Sequence, residues 1–163
     1  MPGSKPPYRL SATTEVDCSP QDVWRVLGDF EEVEVWAPAL TDAYRTTGPD
    51  IDIGSRRTVR YRYILSMEQV VTAWTEGERL TYAVLRVPWP LRNFSETWTV
   101  SSSPAGALVR THVEYDLWFG ALGRFVNWVF TRHVLRFEMR RGQLGLKHTV
   151  EGRSRGDGDP TEP

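Results

Sequence analysis

An α+β fold is predicted, with an antiparallel sheet of about six to seven strands closed over by one long C-terminal helix. Three observations predict it. Between residues 41 and 117 the chain alternates apolar and polar residues in run after run, and the separators "GPDIDIG", "EGE", "PWPL" and "SPAG" carry turn residues. From about Gly120 to Val150 there is no proline, and apolar residues recur at helical spacing. The strands have one charged face, so the opposite face needs a cover.

The elements come in order along the chain. "YRLSATTEV", Tyr8 to Val16, alternates and contains Thr and Val, as a first strand should. In "CSPQDVWRVLGDF", Ser19 is a good N-cap, Pro20 sits where its missing N–H costs nothing, and Val23, Trp24 and Leu27 share a face. "EEVEVWAPAL" reads as a second short helix stopped by Pro38. The strands "TDAYRTT", "SRRTVRYRYI", "SMEQVVTAWTE", "RLTYAVLRV", "NFSETWTVSS" and "ALVRTHVEYDLWF" come next. In the second of these, Arg56, Thr58, Arg60 and Arg62 oppose Arg57, Val59, Tyr61 and Tyr63. On the helix, Leu122, Val126, Val129, His133, Phe137 and Leu144 form the stripe expected to face the sheet, and Gly142 and Gly145 are expected to weaken or kink it.

At 163 residues the chain is expected to be one domain: a flexible start over residues 1–7, a folded unit over 8–151 and a disordered tail over 152–163, rich in Gly, Pro and charge. The net charge of −1 gives no electrostatic case for nucleic-acid binding. Cys18 is the only cysteine, so no internal disulfide forms. With no signal-like leader and no apolar run of membrane-spanning length, a cytoplasmic protein without stable membrane insertion is expected, as monomer or homodimer. His112, His133 and His148 are far apart, and phosphate-loop and GxSxG motifs are missing, so no metal and no cofactor are expected.

The segments "CSPQDVWRVLGDFEEVEVWAPAL", "GSRRTVRYRY" and "GALGRFVNWVF…LGLKHTVEG" resemble, in content and spacing, the START/Bet v 1-like superfamily, and in particular its bacterial polyketide cyclase/dehydrase-like branch. The resemblance spans roughly Tyr8 to Glu151. It implies a helix-grip fold, in which the sheet curves around the long helix and leaves a hydrophobic cavity. Such cavities take polyketides, fatty acids, sterols and other flat or elongated apolar ligands.

The chemistry is then sought on the inner face. In "NFSETWTV", Glu96 falls in the same alternation class as Phe94, Trp98 and Val100, where a charge must be paired, solvated or protonated. It is expected either to contact the ligand as an acid or base, or to form a structural pair. Arg86, in class with Leu80, Tyr82 and Val84, is expected either to pair with Glu96 or to hold a ligand carboxylate or enolate, unless a bulge near "VPWPL" flips its face. His133 is either a satisfied core histidine or a proton-transfer partner. The phenols of Tyr61, Tyr63, Tyr82 and Tyr115 are either aromatic wall or donors to a ligand carbonyl. Trp36, Trp74, Phe94, Trp98, Val129 and Phe137 complete the expected apolar lining.

The function expected is binding of a polyketide-like molecule and assistance to its cyclisation, aromatisation or dehydration, with Glu96, His133, Arg86 and Tyr82 as the catalytic candidates. The basic run "RRGQLGLKH" reads either as a solvated helix face or as a contact for an acidic carrier protein, such as an acyl carrier protein, or for an anionic membrane. The alternatives are a non-catalytic carrier or sensor of lipids, and a protein-interaction module of toxin or co-chaperone type.

Overall fold

In the computed structural model, which describes residues 8–30, 32–48, 50–62, 66–118 and 120–156, the chain opens with β1 (Tyr8–Val16), α1 (Pro20–Leu27) and α2 (Val33–Trp36). Six strands come after them: β2 (Leu40–Arg45), β3 (Arg56–Tyr61), β4 (Ser66–Thr75), β5 (Arg79–Val84), β6 (Leu91–Ser103) and β7 (Gly106–Leu117). The chain then runs through α3 (Gly120–Val126), a π-helical turn (Asn127–Thr131) and α4 (Arg132–Gly156). Residues 152–156, which composition assigns to the tail, are part of α4.

Local chemistry accounts for the first helix. The Ser19 hydroxyl oxygen accepts from the Asp22 backbone N–H at 3.2 Å, Pro20 opens the helix, and Val23, Trp24, Val26 and Leu27 are buried. α2 stops one residue before Ala37, which donates its N–H to the Val33 carbonyl at 2.9 Å and precedes Pro38.

The seven strands form one antiparallel sheet in the order β1-β7-β6-β5-β4-β3-β2. β2 to β7 each pair with their neighbours in sequence, whereas β1 pairs with the last strand. The predicted alternation is visible in β3, where Arg56 and Arg60 are exposed while Arg57 and Val59 are buried. Val59, Val71, Leu80, Trp98, Val100 and Val109 pack against residues of α1 and α2 and against Leu146 and Val150 of α4. A second cluster joins Leu10, Val113, Tyr115 and Leu117 to Met139. Fully burying one aliphatic side chain of this kind contributes about 1.5–3 kcal/mol.

The long helix corrects the sequence reading of its inner stripe. Leu122, Val129, His133, Phe137 and Leu144 of the expected inner stripe are exposed. The sheet is met instead by Met139, Gln143, Leu146 and Val150. The stripe faces outward on both sides of the π-helical turn, Leu122 before it and Phe137 and Leu144 after it, because periodicity marks an apolar side without marking which side meets the sheet. Gly142 and Gly145 do not interrupt α4, which is continuous from Arg132 to Gly156. Gly145 serves close approach: a Cβ there would lie 1.9 Å from the Trp36 carbonyl oxygen. At Gly142 it would lie 3.8 Å from the Trp98 ring, an ordinary contact.

Candidate functional site

Glu96 lies directly across from Tyr82 in the β5–β6 ladder, and the Tyr82 hydroxyl donates a short hydrogen bond to the Glu96 carboxylate. The cation behind them is Arg57 of β3, which is 3% exposed. Its guanidinium lies 5.3 Å from the centre of the Tyr82 ring and 4.5 Å from that of Phe30. Nε donates to Gln69 Oε1 at 2.6 Å, and Nη1 donates to the Phe30 carbonyl at 3.2 Å. Gln69 is the cross-strand partner of Arg57, so the same ladder that sets the strands sets this bond. Arg57 thus reaches Glu96 through the Tyr82 ring, and no ion pair to Glu96 within 4.0 Å exists among the described residues.

These surroundings tune the acids. Burial raises the Glu96 pKa above its ordinary value, opposed by the Tyr82 hydrogen bond and by the charge of Arg57. The Trp98 indole also lowers it, acting as a nearby dipole, since its N–H has no hydrogen-bond partner of normal geometry. Burial and the Glu96 charge hold the Tyr82 phenol well above its ordinary value and push that of Tyr61 up to about 12. Both phenols therefore stay protonated at neutral pH and remain donors. Desolvation lowers the Arg57 pKa, with the surrounding acidic groups opposing it.

The Glu96 shift has a consequence for stability. A carboxyl whose folded pKa is raised favours folding most below its unfolded pKa, and that contribution is lost as pH rises through the folded value. Glu96→Gln removes this loss. The melting temperature of Glu96→Gln relative to the parent is therefore expected to climb as pH rises from acid toward neutral, in scanning calorimetry at several pH values. A flat difference would mean that ionised Glu96 is not disfavoured in the folded state.

The other candidates are distributed over both core clusters. Trp36 and Trp98 are buried and meet edge to face with centroids 5.3 Å apart, both indole N–H groups being without a hydrogen-bond partner. Tyr61 flanks the Glu96 cluster from β3, and among the described residues its hydroxyl has no hydrogen-bond partner. Tyr115 is buried, stacks on Tyr8 at 5.3 Å and donates to the Asn127 side chain at the π-helical turn. Its phenol is pushed up to about 12, mainly by burial. Phe94, opposite Tyr115 in the β6–β7 ladder, packs at the edge of the second cluster. Trp74 packs against Trp24 with centroids 5.1 Å apart, and Trp24 donates to Glu76 at 2.9 Å. Tyr63 lies outside the described residues.

Four candidates are not brought to this face. β5 ends at Val84 and the chain bends at Leu85 and Arg86, so Arg86 leaves the alternation class of Tyr82 and is exposed. His133, Val129 and Phe137 lie on the outer side of the helical segment, as does Leu122 ahead of the π-helical turn. Sequence reasoning missed Arg57 as the cation of the cluster, although it shares the inward class of Val59 and Tyr61. It also missed the bridge in which Thr14 Oγ1 donates to Gln143 Oε1 at 3.2 Å while Gln143 Nε2 donates to Thr111 Oγ1 at 3.0 Å. This bridge ties β1, β7 and α4 beside a groove of about 640 Å³ that runs between residues 11–14 and Arg136, Met139, Arg140, Gln143 and Leu144. Among the described residues no group of three His, Cys, Asp or Glu side chains could hold a metal ion.

A family model described as "Polyketide cyclase / dehydrase and lipid transport" matches residues 7–151. No curated protein matches the chain. Among solved structures, the protein XoxI from Bacillus cereus superposes with a TM-score of 0.71 at 18% identity, over 87% of this chain and 94% of that one. A protein from Thermus thermophilus gives 0.73 at 13% identity, over 90% and 99%. Ara h 8.0201 gives 0.68 at 13% identity, over 89% and 98%. At these identities the likeness is one of fold.

Proposed function

The chain belongs to the polyketide cyclase/dehydrase and lipid transport family and has its Bet v 1-like, helix-grip fold, and from that premise we propose that it binds a polyketide-like molecule and assists its cyclisation or dehydration. Family and fold support the binding of a hydrophobic ligand between the sheet and the long helix. The observation that carries the catalytic part is the Glu96–Tyr82 pair on the concave face, with Arg57 behind it and Tyr61 beside it.

A carboxylate of raised basicity in such a place is suited to take a proton from the carbon next to a ketone. The enolate oxygen formed would accept a hydrogen bond from the Tyr61 hydroxyl, which stays protonated. In dehydration, the protonated Glu96 would return that proton to the departing β-hydroxyl, which leaves as water while the new double bond forms. In aldol closure, the enolate carbon would attack a second ketone, whose oxygen would take the proton. In this reading the substrate arrives on an acyl carrier protein and the reaction takes place in the cytoplasm.

The test begins with native mass spectrometry of the purified protein and extraction of whatever small molecule accompanies it. A poly-β-keto or aromatic compound supports the proposal and supplies a scaffold for assay. On that scaffold Glu96→Gln is expected to slow turnover by about 100-fold or more while changing affinity only a few-fold. Unchanged turnover would remove Glu96 from the mechanism.

The second reading is a carrier or sensor of lipids without chemistry. The already satisfied Tyr82–Glu96 bond favours it, since a carboxyl engaged by its own neighbour does not need a substrate. A fatty acid or phospholipid in the extract, with no turnover of β-keto compounds, would select this reading.

A further inference from the structure

Residues 120–137 are amphipathic in the sense opposite to that of a helix covering a sheet. The positions that turn inward are small or polar: Gly123 and Thr131 are buried, and Asn127 is half-buried and accepts from Tyr115. The side chains turned to solvent are Leu122, Phe125, Trp128, Phe130 and Phe137, each 59–66% exposed. Five large apolar side chains left to solvent along one helical segment mark a candidate contact surface. Trp118, half exposed just before α3, adds to it, with Arg92 lying 5.2 Å over its ring.

The charges along this segment are mostly positive. Residues 120–141 carry five arginines against one carboxylate, Glu138, and Glu138 is paired with Arg141 at 3.4 Å. Arg124, Arg132, Arg136 and Arg140 have no carboxylate within ion-pair distance among the described residues. A two-fold contact with a second copy would set these arginines against their equivalents. A negatively charged surface that also accepts aromatic side chains complements them, and exposed Trp and Phe beside Arg are what an interfacial helix presents to a bilayer. No helix among the described residues is long and apolar enough to cross a membrane, so the segment would lie in the interface.

We propose that the outer face of residues 120–137, with Trp118 beside it, docks the protein onto the surface of an anionic lipid bilayer, with Phe125, Trp128 and Phe130 entering the headgroup region and Arg124, Arg136 and Arg140 facing acidic headgroups. The proposal goes beyond ligand binding by the concave face, because docking uses the opposite side of the helix and is read on the protein whatever ligand it carries.

The test is flotation of the full chain with vesicles of phosphatidylcholine alone and of phosphatidylcholine mixed with phosphatidylglycerol, at low and at physiological salt. Binding to the mixed vesicles is expected to exceed that to neutral ones by about tenfold or more, to weaken with salt and to blue-shift the tryptophan emission. Trp128→Ala with Phe130→Ala should lower binding by about tenfold or more, and Arg124→Glu with Arg140→Glu should abolish the preference for acidic lipid. All four positions are exposed, and unchanged circular dichroism and melting temperature of both variants would show the fold intact. Equal binding to both vesicles, no binding to either, or a solution dimer that Trp128→Ala with Phe130→Ala dissociates would each overturn the proposal, the last by giving the face to a second copy.

Discussion

Replacing Arg57 by methionine is expected to destabilise the protein by about 3–5 kcal/mol, the range found when one member of a buried, hydrogen-bonded polar set is removed. Methionine keeps much of the volume, so the effect reads the lost polar contacts more than a cavity. Gln69 loses its 2.6 Å bond, the Phe30 carbonyl loses its donor, and Glu96 loses the cation that offsets its burial. Against a typical domain stability of about 5–15 kcal/mol this is a large share. For a chain of this length it corresponds to a fall of about 10 °C in melting temperature. Because Arg57 lowers the Glu96 pKa, the variant should also move that pKa further up, and with it the pH at which a Glu96-dependent turnover appears. Adding Glu96→Gln to Arg57→Met should recover part of the loss, since the two positions are coupled through Tyr82. Strict additivity in urea unfolding, or a cost below about 1 kcal/mol, would mean that the cluster is not a unit.

Two glycines three residues apart in α4 should respond with opposite signs. Gly145→Ala places a methyl group 1.9 Å from the Trp36 carbonyl oxygen, a backbone atom that moves only if α2 or α4 moves. Overpacking of this kind costs about 1–3 kcal/mol and sometimes more, against a gain of about 1 kcal/mol in helix propensity. A net fall of several degrees in melting temperature is expected, together with disturbance of the Trp36–Trp98 contact visible in near-ultraviolet circular dichroism. Gly142→Ala meets the Trp98 ring at an ordinary distance and keeps the propensity gain, so it should raise the melting temperature by about 2–4 °C. Two variants that both raise the melting temperature would mean that helix propensity alone governs this stretch.

The strands and the first helix were legible because their signals are local. β1 runs from Tyr8 to Val16 as the alternation of those residues indicates, and the capping of α1 by Ser19 and Pro20 is written in consecutive residues. The inward class of Glu96 and Tyr82 was legible in the same way. Their pairing was not, because which residue of β5 faces which residue of β6 depends on the turn and on where each strand begins. Arg86 was lost at such a boundary, the strand ending at Val84 ahead of a proline-rich bend. Arg57 was in the inward class with Val59 and Tyr61, but alternation within β3 does not say which residues of β5 and β6 it lies near, so it was given no role. The long helix misled for a different reason: its most apolar side in residues 122–137 is turned outward, and periodicity records that a side is apolar without recording what lies against it.

The place of β1 beside β7 sets the order in which the molecule can be finished during synthesis. β2 to β7 pair in succession, so each hairpin of the meander can close soon after its second strand emerges from the ribosome. β1 is made first and must wait for Gly106–Leu117 before its ladder has a partner, even Val16 and Ala107 being separated by nearly the whole meander. Leu146 and Val150, which complete the main core, arrive later still. A nascent chain halted before residue 106 would therefore hold an unpaired first strand and an uncovered sheet face, the two features that invite wrong partners. Native packing of the sheet against α4 becomes possible only once Met139, Leu146 and Val150 have also been released.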